Sequence, residues 1–158
     1  MKLCIELKKR DKTVSVNKSA ATIVASSVAT LLIQNKQILL GRRFEKKADE
    51  KNFIGWQCPG GYLQKGESVE QAAQKFCIQK AGIELTKMHP GPYTNNVFSE
   101  QLHTTTLYVI GEGYRVVNRS QFENEQFQWS WFEFDQLPDL LFLPLTFLVP
   151  EIKSGCYD

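Results

Sequence analysis

The chain has 158 residues, 42% of them hydrophobic, 11% aromatic and 23% charged, which is material for one core at the usual ~150 residues per domain. That composition excludes a disordered tail, a collagen-like repeat and a coiled coil. The net charge of +2 conceals an asymmetry: residues 1–120 carry 18 Lys and Arg against 10 Asp and Glu, whereas residues 121–158 carry 1 against 7. A basic body suits an anionic ligand, although an unevenly charged solvated surface has the same composition.

The longest largely apolar run, IVASSVATLLI at 23–33, holds 11 residues, short of the ~20 that a helix needs to cross a bilayer. Charge returns early in the opening MKLCIELKKRDK, before any apolar stretch of signal-peptide length. A soluble, unexported, cytoplasmic chain with no membrane partner is therefore expected. Cys4, Cys58, Cys77 and Cys156 show no C-x-x-C spacing and no pairing with His, which speaks against both disulfides and a zinc site.

No internal repeat or linker divides the sequence, so residues 1–158 are expected to form one domain. In chain order, Lys2–Leu7 alternates weakly, and Thr22–Gln34 is rich in Val, Ile, Thr and Ala and reads as a buried strand. Gln34-Asn35-Lys36 is a hairpin turn into a strand over Gln37–Arg43. The charged stretch Phe44–Asn52 has no pattern and reads as a surface loop. Pro59-Gly60-Gly61 forces a turn. A helix follows, with Ser68 as N-cap and Gln71 completing a capping box. Val69, Ala72, Ala73, Phe76 and Cys77 recur at helical spacing, and Gly82 is its stop. Strands are expected at Ile83–Met88, Asn95–Phe98, Leu102–Tyr114 and Phe127–Phe134. A closing helix over Leu145–Lys153 must accommodate Pro150 by a kink or a late start. Mainly β with helices at the middle and end, the chain is expected to be α+β, a mixed sheet between helices.

The run from Gly61 through Glu67, Lys75-Phe76-Cys77-Ile78-Gln79-Lys80 and Ala81-Gly82-Ile83 has the 23-position frame of the Nudix box, G-x5-E-x7-R-E-U-x-E-E-x-G-U, with U a bulky apolar residue. The flanks agree: Trp56-x-x-PGG before it, LLGRR in the preceding strand, and Trp129-Ser130-Trp131-Phe132 followed by Leu137-Pro138 after it. From about Ser27 onward the chain resembles the Nudix family, and within it the MutT-like branch that acts on nucleotides. The resemblance implies the Nudix fold, with a degenerate box at 61–83. The family's Arg is Lys75 here, and its three glutamates are Phe76, Gln79 and Lys80, while Gly61, Glu67, Gly82 and Ile83 match.

In the family those three carboxylates hold a divalent cation against a diphosphate. Spaced i, i+3 and i, i+4, positions 76, 79 and 80 are expected to share one helix edge. An aromatic ring, an amide and an ammonium there remove hard oxygen ligands and add repulsion toward Mg²⁺. The main expectation is therefore a protein that binds a nucleotide or related phosphate compound with little or no hydrolysis and no cofactor. Lys80, Arg42 or Arg43, and the amides around Gly60-Gly61 are candidate contacts to phosphate; Trp56, Phe53 and Phe98 are candidates to stack a base. Against this, Lys80 could simply solvate the helix edge while Phe76 adds to the core.

Two rival readings remain at this point. One is a working Mg²⁺- or Mn²⁺-dependent pyrophosphatase that draws carboxylates from Glu67, Glu70, Glu123 or Glu125, with Glu67, Glu123 and Glu125 as the substitute metal ligands; otherwise Glu67 and Glu70 serve as first-turn acids facing the helix dipole. The other is an RNA or protein interaction module, although no nucleic-acid signature is present. His103 lacks a nucleophile partner and Cys58 is expected only to pack. A homodimer is compatible with the resemblance.

Overall fold

The computed structural model describes residues 21–158; the Lys2–Leu7 segment and Cys4 lie outside them. Among these residues seven strands form one mixed sheet: β1 (Ile23–Gln34), β2 (Gln37–Lys47), β3 (Glu50–Gln57), β4 (Gly60–Tyr62), β5 (Ile83–Val97), β6 (Leu102–Val116) and β7 (Ser130–Glu133). The main path runs β3-β2-β1-β6-β5, with β4 added to β1 and β7 to β2. The β1–β6 pair is parallel and holds register from Ile23–Leu102 to Leu32–Gly111, while the other strand pairs are antiparallel. The second edge of β1 is shared: Ser27–Ala29 pair with β4, and Ile33–Gln34 pair with β2. The sheet forks between these two partners, and the cleft described below opens at that fork.

Period-two alternation builds a core on each face. Val28, Leu32, Leu39 and Val109 face the box helix α1 (Val69–Phe76), whereas Leu31, Ile33, Ile38, Leu40, Tyr108 and Ile110 face the chain's end. There α3 (Leu143–Thr146) and α4 (Val149–Ser154) supply Leu145 and Ile152. The short α2 (Arg119–Phe122), not foreseen from the sequence, packs beside the end of α1. The mixed sheet between helices is thus as expected. Among the described residues no helix is long and apolar enough to cross a membrane, and Cys58 and Cys77 are buried free thiols.

Local signals give α1 its limits. The Ser68 hydroxyl accepts from Gln71 N–H at 3.0 Å and the Gln71 side chain accepts from Ser68 N–H at 2.9 Å, a reciprocal cap of about 1 kcal/mol. Ala72, Ala73 and Phe76 are its buried face. Its last turn, Cys77–Ala81, widens to π geometry before Gly82 stops it at φ 64°. At the first hairpin, Asn35 and Lys36 both take positive φ, 52° and 60°, the mirror-type turn that matches strand twist.

Other expectations need correction. Phe44–Asn52 is no loop: β2 continues to Lys47, turns at Ala48-Asp49 and returns as β3. The residues from Glu45 to Phe53 are exposed on both faces, so neither face had an apolar row to show. Ile83–Met88 and Asn95–Phe98 belong to one strand, β5, with register shifts near Lys87 and between Pro90 and Tyr93. Prolines are tolerated there because, among the described strands, β5 lies at the sheet's edge, where a missing N–H costs no ladder bond. β7 is shorter than Phe127–Phe134 because Gln128 sits at φ 46°. The closing helix is two helices, with Pro150 in the first turn of α4, where the lost N–H would have been unpaired anyway.

Candidate functional site: a cationic cleft at the fork of the sheet

β1, β4, β6 and the end of α1 converge with α3 on a cavity of about 180 Å³. The PGG turn makes this possible. Thr30 N–H donates to Pro59 O at 2.9 Å and holds the turn against β1. A Cβ at Gly60 would stand 2.4 Å from the Val28 carbonyl oxygen, and one at Gly61 2.6 Å from the Phe76 ring. Both glycines line the cleft because nothing larger fits between β1 and α1.

Among the described residues two cations also line it, Arg43 and Lys80, and no Asp or Glu does. The Lys80 ammonium donates to the Gly60 carbonyl oxygen and lies 5.2 Å from the Phe76 ring centroid. Burial, and next the charge of Arg43, push its pKa below the ordinary lysine value. Its backbone is held from two sides, since the Lys80 carbonyl accepts from Gln121 Nε2 and Trp129 Nε1, each at 2.9 Å. Burial likewise lowers the pKa of Arg43. Its Nη1 donates to Gln57 Oε1 at 2.9 Å, its guanidinium stacks 4.1 Å over Phe142, and its Nε is buried with no partner among the described residues. Phe142 in turn stacks on Phe98 at 5.5 Å with an interplanar angle of 23°. The opposite wall is polar: Ser27 and Thr106 share a hydroxyl hydrogen bond of 2.8 Å, and Thr104 and Tyr108 stand on the same strand face.

Of the residues singled out from the sequence, Arg43, Gly60, Gly61, Lys80 and Phe98 meet in this cleft. Arg42 and Trp56 do not: they pair with each other across β2 and β3, and alternation turns them from the face carrying Arg43 and Gln57. Arg42 bonds Gln128 at 2.8 Å and lies over Phe44, while Trp56 packs edge-on against Phe132 and Phe53. Phe53 is 40% exposed outside the cleft. His103 bonds Asn95 at 2.5 Å on the strand surface. Cys58 is buried, which raises its thiol pKa. Gln57, Thr104, Thr106 and Phe142 were missed by sequence reasoning; only the parity of the strand expected over Leu102–Tyr114 hinted at Thr104 and Thr106.

The divalent cation that the family motif implies does not fit these residues. Phe76 is buried against Gly61, Gln79 is exposed away from the cleft, and Lys80 places an ammonium on the Gly60 carbonyl. Positions 76, 79 and 80 were expected on one edge; Phe76 is buried, Lys80 lines the cleft, and Gln79, in the π turn, is exposed outside it. No substitute set forms: among the described residues no three His, Cys, Asp or Glu side chains gather as a metal site. Glu67 is held by Lys75 at 2.5 Å and by Gln64 N–H at 2.8 Å. Glu123 pairs with Arg119 at 3.1 Å on the surface, and Glu70 is exposed in the first turn of α1.

The Lys75 hydrogen bond, and then that of Gln64, hold the Glu67 carboxyl below its usual pKa. The folded state therefore favours the ionised form, and this contribution is present above the unfolded pKa of about 4.5 and is lost as pH falls through the folded value. Glu67→Gln is expected to lower stability at neutral pH and to flatten the acid side of the profile. Urea denaturation from pH 7 to 3 checks this; parallel profiles for the two proteins would refute it.

A model of the NUDIX domain matches residues 24–148. An oxidized purine nucleoside triphosphate hydrolase of Mus musculus is 23% identical over 111 residues, covering 68% of this chain and 65% of the relative. The protein of the same description from Danio rerio is 27% identical over 124 residues, covering 73% and 74%. This chain thus spans just under two thirds of the mouse relative's length. Among solved structures, a NUDIX hydrolase from Nitrosomonas europaea superposes with a TM-score of 0.68 at 16% identity, covering 85% of this chain and 91% of that one. A MutT NUDIX hydrolase from Burkholderia pseudomallei gives 0.63 at 19% identity, covering 82% and 97%. At such identities these structures establish a shared fold.

Proposed function

The chain belongs to the NUDIX family, and from that premise we propose that its cleft binds a nucleotide or related phosphate compound directly through Lys80 and Arg43, with little or no hydrolysis. One observation carries this reading: the ammonium of Lys80, at a position where the family motif has a metal-holding glutamate, is anchored on the Gly60 carbonyl inside the cleft. An anion about 4 Å from each of two cations gains roughly 4 kcal/mol per pair at an effective dielectric near 20, before desolvation. Charge-assisted hydrogen bonds from ammonium and guanidinium then give that attraction direction. The relatives described as hydrolases of oxidized purine nucleoside triphosphates support nucleotides as the ligand class. Hydrolysis requires a different donor set, because a divalent ion needs several oxygen ligands and the diphosphate must be bridged to it.

Calorimetric titration with nucleoside mono-, di- and triphosphates, with phosphate release followed in parallel, tests the proposal. Binding without turnover is expected, and Lys80→Ala is expected to weaken it about tenfold, as for one charged hydrogen bond. Metal-dependent turnover that disappears in Glu67→Gln would instead mean that the chemistry had moved to other carboxylates.

A further inference from the structure

The cleft's charge points to one nucleotide class within the reading just given, on which this inference rests. Among the described residues its lining holds two cations and no carboxylate. A phosphate monoester carries about −1.5 to −2 at neutral pH, which matches Arg43 and Lys80 with nothing left over. A triphosphate brings more negative charge, ordinarily neutralised by a divalent ion. Here that ion would meet an ammonium and no acidic ligand.

The donors and walls suit a compact ligand with one phosphate and one ring. Lys80 spends one of its three N–H donors on Gly60 O and Arg43 one of its terminal N–H donors on Gln57 Oε1, so each cation keeps donors for a phosphate oxygen. The stacked Phe98–Phe142 pair offers an aromatic wall beside Arg43, and the hydrogen-bonded Ser27–Thr106 pair lines the opposite side. We infer that the cleft takes a nucleoside monophosphate as its free dianion, with no divalent cation, in preference to a metal-bound nucleoside triphosphate.

The test is calorimetry of the full chain with the four ribonucleoside monophosphates, their triphosphates and the unphosphorylated nucleosides, each in Mg²⁺ and in chelator. At least one monophosphate is expected to bind equally well in both buffers, and about tenfold or more tighter than the corresponding Mg²⁺–triphosphate. The nucleoside is expected to be weaker by about a hundredfold, roughly tenfold for each cation, and Arg43→Gln to narrow the difference between nucleoside and monophosphate to about tenfold. A triphosphate that binds more tightly, or a monophosphate that needs Mg²⁺, would overturn this inference and leave the nucleotide reading standing. Equal binding of nucleoside and monophosphate would also overturn it. No binding of any nucleotide would refute the nucleotide reading itself, and this inference with it.

Discussion

Lys80→Glu is expected to lower nucleotide affinity by about a hundredfold or more, because attraction becomes repulsion inside a cleft where like charges cost several kcal/mol. The introduced carboxylate also faces Arg43, whose charge depresses the Lys80 pKa in the native protein, and draws that guanidinium away from phosphate. Folding is expected to change little, by about 1 kcal/mol at most, since a cation–cation contact is relieved as the Gly60 hydrogen bond is lost. Magnesium-dependent hydrolysis is not expected to appear, for position 76 remains an aromatic core residue and position 79 an exposed amide. Calorimetry, urea denaturation and phosphate release on the same preparation check the three statements. Retained affinity would remove Lys80 from the binding site, and metal-dependent turnover would mean that a single carboxylate suffices.

Gly82→Ala is expected to produce the larger loss of stability, about 3 kcal/mol or more, summing left-handed backbone strain and overpacking. Gly82 sits at φ 64°, and a Cβ there would stand 2.2 Å from the Asn118 carbonyl oxygen and 2.9 Å from the Gln121 Cβ. Its own carbonyl accepts from the N–H groups of both Val117 and Asn118, at 2.9 and 3.0 Å. The strained residue therefore joins α1, the end of β6 and the start of α2. Gln121, one of the two side chains that hold the Lys80 carbonyl, shifts with it, so nucleotide affinity is expected to fall along with stability. A melting midpoint lower by roughly 6–12 °C corresponds to that free energy in a chain of this size. A midpoint unchanged within a degree would show that Asn118 gives way without cost.

What could be read from the sequence was mostly local. Ser68, Gln71 and Gly82 each act on backbone groups within a few residues, so the limits of α1 were legible. The PGG turn was legible for the same reason, and β1 as a buried strand from its Val, Ile, Thr and Ala content. The site was legible only in part. Arg42 and Arg43 are adjacent, and choosing between them requires knowing which face of β2 meets the cleft. The Arg43–Phe142–Phe98 stack joins residues remote in sequence. Phe76 looked chiefly like a lost ligand, yet its ring lies near the ammonium groups of both Lys75 and Lys80, at 4.7 and 5.2 Å. An aromatic face stabilises cations where a carboxylate once would have. The hairpin at Phe44–Phe53 was invisible for the opposite reason: with both faces in solvent, no apolar alternation marks it.

The long parallel pair of β1 and β6 also governs how the chain reaches this structure. Ile23 finds its partner at Leu102 and Leu32 at Gly111, about half the chain away. The entropy of closing so large a loop must be met before the ladder returns any stability, and folds dominated by such pairings form in milliseconds to seconds rather than microseconds. On the ribosome, the β1–β2 hairpin can form early, but Leu31, Leu32 and Ile33 stay uncovered until β6 has been made. The cleft at the fork, which needs β6 and the later α3, is therefore among the last parts of the molecule to take shape.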